Sequence, residues 1–435
     1  MTAEQFYRTV YGPVVAAFAE METAGIRIDI GYGEILAKDL RKRCDAVEGE
    51  AAGIAARYGV ANFKPTQKEV AGKLLYGKLG FEPTHHTAVK GIPAVHAAAL
   101  SKLAGRHPFV DILIEHARVH KVLSTNVEPF ITPKADGGWL WPDGKIHAEF
   151  HLDLTRSGRS STDNPNIQNI PKRDKELATM VRRMMIPSYK DGSIGERDQK
   201  AFELRVSAMY TGDRAFIDVF KRDGNPHREF AAQVLKVLQA QVTDRQYGAF
   251  KGADFQLIFG GSWRGLQTSL ADKYGIMLTD EEAQLIHSGF FRLHPETAAY
   301  LERQKRAVLE TGMVVSLTGR RRAIPPPLPG TRGYEREHPF HVAANTPVQG
   351  TAWDLMLGAI LKFWWAMKKY RLRSRQINAV HDNGVWDIFP GEEQMVMDLA
   401  HECMTQLSDL FDFLTVPLDT EGMLGPTWGT MEAWA

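Results

Sequence analysis

Cysteine is nearly absent from this chain: Cys44 and Cys403 are the two in 435 residues. They lie far apart and outside any paired metal spacing, which excludes a cysteine zinc cluster and a disulfide framework and fits a reducing compartment. No run approaches the ~18 consecutive apolar residues of a membrane helix. The opening MTAEQFYRTVYG carries an acid and lacks the charged-then-apolar pattern of a leader, so the expectation is a cytoplasmic chain with no membrane partner. Charge of one sign is missing too. Lys plus Arg number 53 against 52 for Asp plus Glu, a net +1, so any pull on a polyanion must come from local patches. Repeats and low-complexity tracts are absent. What is present is 44% hydrophobic content over 435 residues, enough for two or three packed lobes.

Hydrophobic periodicity orders the chain. Thr2 with Gln5 reads as a capping box opening a helix toward Glu20, Gly25 breaks it, and IRIDI follows as an extended run. Helical patterns then cover 33–58, ended by Gly59, and 65–79 and 108–126. From Lys145 the period becomes two, with Ile146, Ala148, Phe150 and Leu152 alternating against His147, Glu149 and His151 as one half-buried strand. Residues 199–311 are again helical, with a second capping box at Thr279 and Glu282, and a hairpin is predicted around Thr318 and Gly319. A helical pattern over 337–366 is interrupted by Pro347. Strand signals return at 375–389, followed by a helix at 392–411 and the extended LTVPLDTEG. A sheet begun before a helical insertion and completed after it brings distant carboxylates onto neighbouring strand ends.

Two carboxylates answer to that description. Asp198, in GERDQKAFELR, lies at a strand end before a helix. Asp382, in INAVHDNGVWDI, lies where Asn383 and Gly384 are predicted to form a hairpin turn. Carboxylates so placed can share hard divalent ions, and two such ions about 3.5–4 Å apart suit phosphoryl transfer. A single loop aspartate is more often a helix or turn cap, and spacing alone leaves both readings open. His147-Ala148-Glu149 matches the HxE of zinc deaminases, but no PCxxC completes it. GGSWRGLQTS lacks the ending of a phosphate-binding P-loop.

The stretch TRSGRSSTDNPNIQNIP (155–171) resembles the template-and-primer motif of family-A DNA polymerases. DQKAFELR resembles that family's motif A, KGADFQLIFGG its motif B, NTPVQGTAWDLM its primer-contacting helix and AVHDNGVWDI its motif C, all in family order. LTVPLDTEGMLGPTW is similar to its ending and YGPVVAAFAEMETAGIRID to its opening. The resemblance implies an α+β, right-hand polymerase: a palm built on an antiparallel sheet, helical fingers and a helical thumb. It implies 1–30 as a lead-in to the palm, 31–135 as thumb, 136–205 as the first part of the palm, 206–333 as fingers and 334–435 as the rest of the palm. The implied function is extension of a DNA primer on a DNA template from deoxynucleoside triphosphates. It would proceed with two Mg2+ ions, Mn2+ being the alternative, and without a proofreading nuclease of its own. Asp198, Asp382 and the Gln199 carbonyl become the metal ligands. Glu203 becomes the ribose-sensing gate, and Glu203, His227, Lys251, Phe255 and Phe259 the nucleotide site. Arg159, Asn166, Gln168, Asn345, Gln349 and His381 become contacts to the primer-template DNA. A monomer working beside separate replication proteins is expected, in a host's cytoplasm if the source is a phage.

Taken singly, several of these residues have plainer readings: Lys251 as a solvated helix charge, Phe255 as core packing, Arg159 as a turn residue, Gln349 as a local backbone partner. Arg320 to Arg322 read equally as a backbone-phosphate patch or a solvated charge run. The chain also departs from the family pattern. Gln199-Lys200 stand for Tyr-Ser, and GSIGER is an unusually polar strand. Tyr247 replaces a helix arginine, for which Arg245 is a weak substitute. Gln256 replaces Gly, Phe259 replaces Tyr, His341 replaces Arg, and Asn383 replaces the Glu of HDE. Loss of the tyrosine hydroxyl at Phe259 predicts a looser sugar gate. These departures motivate a second reading, a DNA-binding accessory protein that keeps the fold with weakened chemistry.

Overall fold

Thr2 opens the chain as a capping box, its hydroxyl accepting from Gln5 N while the Gln5 side chain accepts from Thr2 N. The computed structural model describes residues 1–83, 85–86, 92–171 and 174–434. The first helical run passes through a π-helical turn, Tyr7–Tyr11, into the helix Gly12–Ala24, where Gly25 at φ 60° ends it. Its apolar stripe, Val10, Val14, Ala17, Phe18 and Met21, packs against a helix of 38 residues, Gly333–Tyr370. That long helix runs through Pro347 rather than being interrupted there. Burial on nearly every face of residues 351–361 holds it, and the Tyr300 hydroxyl donates to Ala344 O at 2.6 Å in the turn before the proline.

The strands, in chain order, are β1 (Ile26–Ile28), β2 (Lys145–Ile146), β3 (Glu149–His151), β4 (Ser161–Asp163), β5 (Met185–Ile186), β6 (Ser193–Gln199), β7 (Met313–Val315), β8 (Arg321–Ala323), β9 (Arg375–Val380), β10 (Asn383–Ile388), β11 (Thr420–Gly425) and β12 (Glu432–Trp434). The main sheet has the order β12-β11-β6-β10-β9, with every neighbour antiparallel. One face packs on the long helix and on the helix Glu393–Thr405 through Ala379, Trp386, Ile388 and Met397. The other packs through Ile194, Ile377 and Val385 against a core shared with the helix Ile30–Arg57. The predicted single strand from Lys145 is divided: β2 joins β1 and β5, whereas β3 pairs with β4 in a separate hairpin. Its burial alternation survives at Ile146 and Ala148, but no one partner strand spans 145–152, so the ladder changes sheets.

Two helical lobes flank the sheet. The helices from Ile30 to Ile131 form one, with its own distal core around Phe63, Leu74, Leu75 and Phe109. Arg118 ties its base to the helix Lys175–Arg183, donating to Asp174 at 2.6 Å and Glu176 at 3.1 Å. Residues 202–293 form the other, around Phe216, Phe230, Phe250 and Phe290. The predicted hairpin at Gly319 (φ 82°) is present as β7–β8 and rests against Ala3. Both cysteines are free and buried, and burial pushes the Cys403 thiol up to about 12. Among the described residues no helix is long and apolar enough to cross a membrane.

Candidate active site

Alternation along β6 decides what reaches the site. Ile194, Glu196 and Asp198 share one face, and Gly195, Arg197 and Gln199 the other. On the second face Arg197 Nε donates to Met397 O at 2.8 Å and Gln199 Nε2 to Met404 O at 2.6 Å, both carbonyls of the helix Glu393–Thr405. Burial pulls the Arg197 guanidinium below its ordinary value. The polarity of GSIGER thus has a structural cause: Arg197 bonds to a helix backbone on one face, and on the other Glu196 accepts from Asn383 and Trp428. With its side chain buried, Gln199 can offer the cleft only its backbone.

Asp382 arrives on the β9–β10 hairpin, whose turn differs from the predicted one. Val380 pairs with Asn383, so His381 (φ 60°) and Asp382 form the two-residue turn and Asn383-Gly384 begin β10. Gly384 serves packing: a Cβ there would lie 2.6 Å from Trp386 Cη2. Asn383 sits opposite Asp198 in the ladder, and Gln199 N donates to Asp382 O at 3.0 Å. The two aspartates are therefore held by adjoining backbone of neighbouring strands. Asn383 Nδ2 and Trp428 Nε1 both donate to the Glu196 carboxylate, so an acid at 383 would face an acid already in place.

A cleft of about 620 Å3 opens over this point. Asp198, Gln199 and Asp382 line it from the sheet, Glu203 from the first turn of the helix Phe202–Thr211, His227 from the helix Pro226–Leu235, and Lys251 and Phe255 from the helix Asp244–Leu257. Seven of the predicted site residues thus meet in one place. Asp419 and Glu421 also line it and were not singled out in the sequence. Glu421 faces Asp198 across β11, and the D-x-E spacing within the extended LDTEG puts both acids on one face, a signal that was available. Lys200 pairs with Asp419 at 2.8 Å; although burial pushes the Asp419 carboxyl up, the ammonium holds it below its ordinary value.

Glu203 is tethered. Arg159 donates to Oε1 at 2.7 Å and Gln349 Nε2 lies 3.4 Å from the same oxygen. In the absence of a tyrosine hydroxyl at Phe259, a guanidinium and an amide hold the Glu203 carboxylate. Phe259 itself lines a neighbouring cleft of about 660 Å3 with Gln256, His341 and Asn345, and Phe255 borders both clefts. His341 Nδ1 lies 3.0 Å from Phe259 O. Tyr247 occupies the same helix stripe as Lys251 and Phe255, with the Arg228 guanidinium 5.1 Å from its ring centre. Arg245 is turned away, donating to Met277 O.

The remaining predicted residues lie outside the cleft lining. Gln168 Nε2 donates to Ser160 Oγ and to Ala379 O at 2.8 Å, bracing the 160–169 segment on β9, and Asn166 Oδ1 accepts from Asn169 N within that segment. His381 is exposed at the hairpin tip beside Asp382. In the Arg320–Arg322 run, Arg320 is ion-paired at 2.6 Å with the buried Asp354, and Arg322 donates to Thr346 at 2.6 Å, leaving Arg321 facing outward. The HxE residues do not converge: His147 Nδ1 bonds Glu22 O, and Glu149 accepts from Asn164.

The model for DNA polymerase family A matches residues 32–430. The chain belongs to DNA polymerase family A. It is similar to "DNA polymerase I, thermostable" of Thermus aquaticus, 30% identical over 425 residues that cover 97% of this chain and 48% of the relative. It is also similar to DNA polymerase I of Bacillus subtilis (strain 168), 28% identical over 417 residues, 96% of this chain and 45% of that one. The chain spans about half the length of the curated relatives it matches. Among solved structures it resembles the POL domain of Pol1 from M. smegmatis in complex with DNA primer-template and dNTP. The TM-score is 0.83 at 26% identity, covering 97% of this chain and 70% of that one. The right-hand architecture of family A follows: an antiparallel palm sheet carrying Asp198 and Asp382, with helical fingers and thumb around it.

The donor set suits the divalent ions expected of such a fold. Asp198 and Asp382 offer hard oxygens from rigid backbone, and six acidic side chains against three basic ones line the cleft. Neither cysteine lines it.

Proposed function

We propose that this chain is a DNA-directed DNA polymerase, extending a primer on a DNA template from deoxynucleoside triphosphates. One juxtaposition supports the reading above all: Asp198 and Asp382 at adjoining strand ends, with Lys251 and His227 from two other helices lining the same cleft. Asp198, Asp382 and the Gln199 carbonyl would hold two divalent ions, Mg2+ first and Mn2+ as the alternative. Such ions, when bound, offset the charge that develops on the attacking and leaving oxygens.

The rest of the work falls to side chains. Lys251 and His227 bind the triphosphate, and Phe255 packs on the sugar from the same helix face as Lys251. Glu203 occupies the space a 2′-hydroxyl would need. Arg159, Asn166, Gln168, Asn345, Gln349 and His381 serve the primer-template, whose minor-groove acceptors are common to all base pairs. Because Arg159 and Gln349 also hold Glu203, the primer contacts and the sugar gate share one network. We assign 31–135 to the thumb, 206–333 to the fingers and the remainder to the palm. We further assign the chain to the cytoplasm as a monomer beside separate replication proteins.

Primer extension with purified protein and Mg2+ tests the reading. Asp198→Asn and Asp382→Asn should each abolish extension and leave salt-dependent DNA retention nearly unchanged, since retention rests on phosphate contacts. Retention without extension by the wild type would favour the accessory reading. Parallel loss of both in the variants would assign the aspartates to folding.

A further inference from the structure

One buried acid serves the cleft without lining it. Asp254 directly precedes Phe255 on the helix Asp244–Leu257, and its side chain is wholly inaccessible to solvent. Its Oδ2 lies 2.5 Å from His227 Nδ1, while its Oδ1 has no hydrogen-bond partner. A buried carboxylate left with a single partner is costly unless that partner is cationic. The fingers contain an instructive counterpart in Asp213 and His294. There Asp213 caps a helix, accepting from Phe216 N and His294 through Oδ1 and from Thr297 through Oδ2, and Phe216 stacks on the His294 ring at 4.0 Å. That pair is saturated and closed. The Asp254–His227 pair has no backbone donor and borders the cleft.

Ring geometry gives the pair a direction. With Nδ1 engaged by Asp254, Nε2 lies on the far side of the imidazole, and His227 is among the residues lining the cleft. Tyr247 at 5.9 Å and Phe255 at 5.7 Å confine the ring from the neighbouring helix. The other charged groups around it are Lys251 and Asp223 in the cleft lining and Arg228 on its own helix. Among the described residues Asp254 is the carboxylate hydrogen-bonded to the ring. Resting on the polymerase reading, we propose that Asp254 is a positioning residue: it holds His227 with Nδ1–H on its own carboxylate and Nε2–H toward the cleft. On binding, Nε2 then donates to the terminal phosphates of the incoming nucleotide and to the pyrophosphate that leaves, a contact the helix stripe lacks at Tyr247. A carboxylate behind an imidazole fixes both its tautomer and its orientation.

The test uses the full chain with 15N-labelled histidine, the His227 signals being assigned by their loss in His227→Gln. With pyrophosphate bound both ring nitrogens should be protonated; a bare Nε2 in that complex would overturn the proposal without recourse to any Asp254 variant. Calorimetry with inorganic pyrophosphate then gives a readout independent of synthesis. Asp254→Asn and His227→Gln should each weaken pyrophosphate binding about tenfold or more, the scale of one charge-assisted hydrogen bond. The double variant should be no weaker than either single one. In primer extension the same substitutions should raise KM for the nucleotide. A purely structural tie would lower melting temperature while leaving pyrophosphate affinity and the His227 signals as in the wild type, and that result also refutes the proposal. If the wild type binds pyrophosphate as described yet extends no primer, the polymerase reading fails and the Asp254 assignment stands.

Discussion

Replacing Glu203 by alanine tests the sugar gate most directly. The carboxylate sits in the first turn of the helix Phe202–Thr211, about a quarter exposed, with Arg159 at 2.7 Å. On the proposed role, the Arg159 tie keeps it from swinging aside for a ribose hydroxyl. The hydroxyl must then clash or be buried without a partner, a cost of about 1–3 kcal/mol. In kcat/KM this is about 5- to 150-fold of discrimination, which Glu203→Ala should remove. The stability cost is separate: about 0.3–1 kcal/mol for a first-turn acid and no more than about 1 kcal/mol for a partly exposed ion pair. Glu203→Gln keeps the volume and drops the charge, so it should retain most of the discrimination while loosening Arg159. Single-nucleotide incorporation with matched ribo- and deoxynucleotides measures the ratio, and thermal melting measures the tie. A ratio that stays put in Glu203→Ala while melting falls would make Glu203 a helix residue only. If Glu203→Gln lost as much discrimination as alanine, charge rather than volume would be the selector.

Gly384→Ala puts a Cβ against Trp386 two residues from Asp382, and overpacking of about 1–3 kcal/mol should lower both denaturant midpoint and single-turnover rate; an unchanged rate would separate the hairpin's packing from the position of Asp382. Asn383→Asp removes a donor to Glu196 and sets two carboxylates together. The raised pKa of such a pair leaves stability near wild type at acid pH and lowers it above the unfolded carboxylate value of about 4, so urea midpoints should diverge more at pH 8 than at pH 4; a constant gap would count against the contact. Burial, then the nearby Arg197 charge, lowers the pKa of His401. The unfolded chain therefore takes up a proton as pH falls through about 6.5 while the folded chain resists, stability drops on that acid side, and His401→Asn should flatten the slope between about pH 5 and 6.5.

The long motifs carried the fold and much of the site because they hold several groups in fixed order. Asp198, Glu203, Lys251 and Phe255 were legible as helix and strand positions with chemistry attached. Other features depended on partners remote in sequence. Asn383-Gly384 looks like the stronger turn, but pairing with β6 on one side and β9 on the other draws both residues into the sheet, and the turn falls on His381-Asp382. Pro347 looks like a break, yet surrounding burial holds the helix through it. The residues after Lys145 alternate correctly, although their partners belong to two sheets. Asp254 gave no signal as a lone acid in a helix; its meaning comes from His227 on a different one. The Arg159–Glu203 tether links residues 44 apart in sequence, and no spacing rule announces it.

The polarity of β6 also bears on how the protein is made. Both neighbours of this strand arrive late, at 383–388 and 420–425, so during synthesis β6 waits with two open edges while the fingers are being completed. An apolar strand in that position would be a template for pairing with other chains. Glu196, Arg197, Asp198 and Gln199 make it a poor one, and the partners of Glu196, Arg197 and Gln199 lie at residue 383 and beyond. The groups that position the chemistry thus double as gatekeepers of the unfinished chain. Replacing Arg197 and Gln199 by valine should leave a strand of the same register but raise aggregation during translation; an unchanged soluble fraction in a cell-free translation pelleting assay would remove this role.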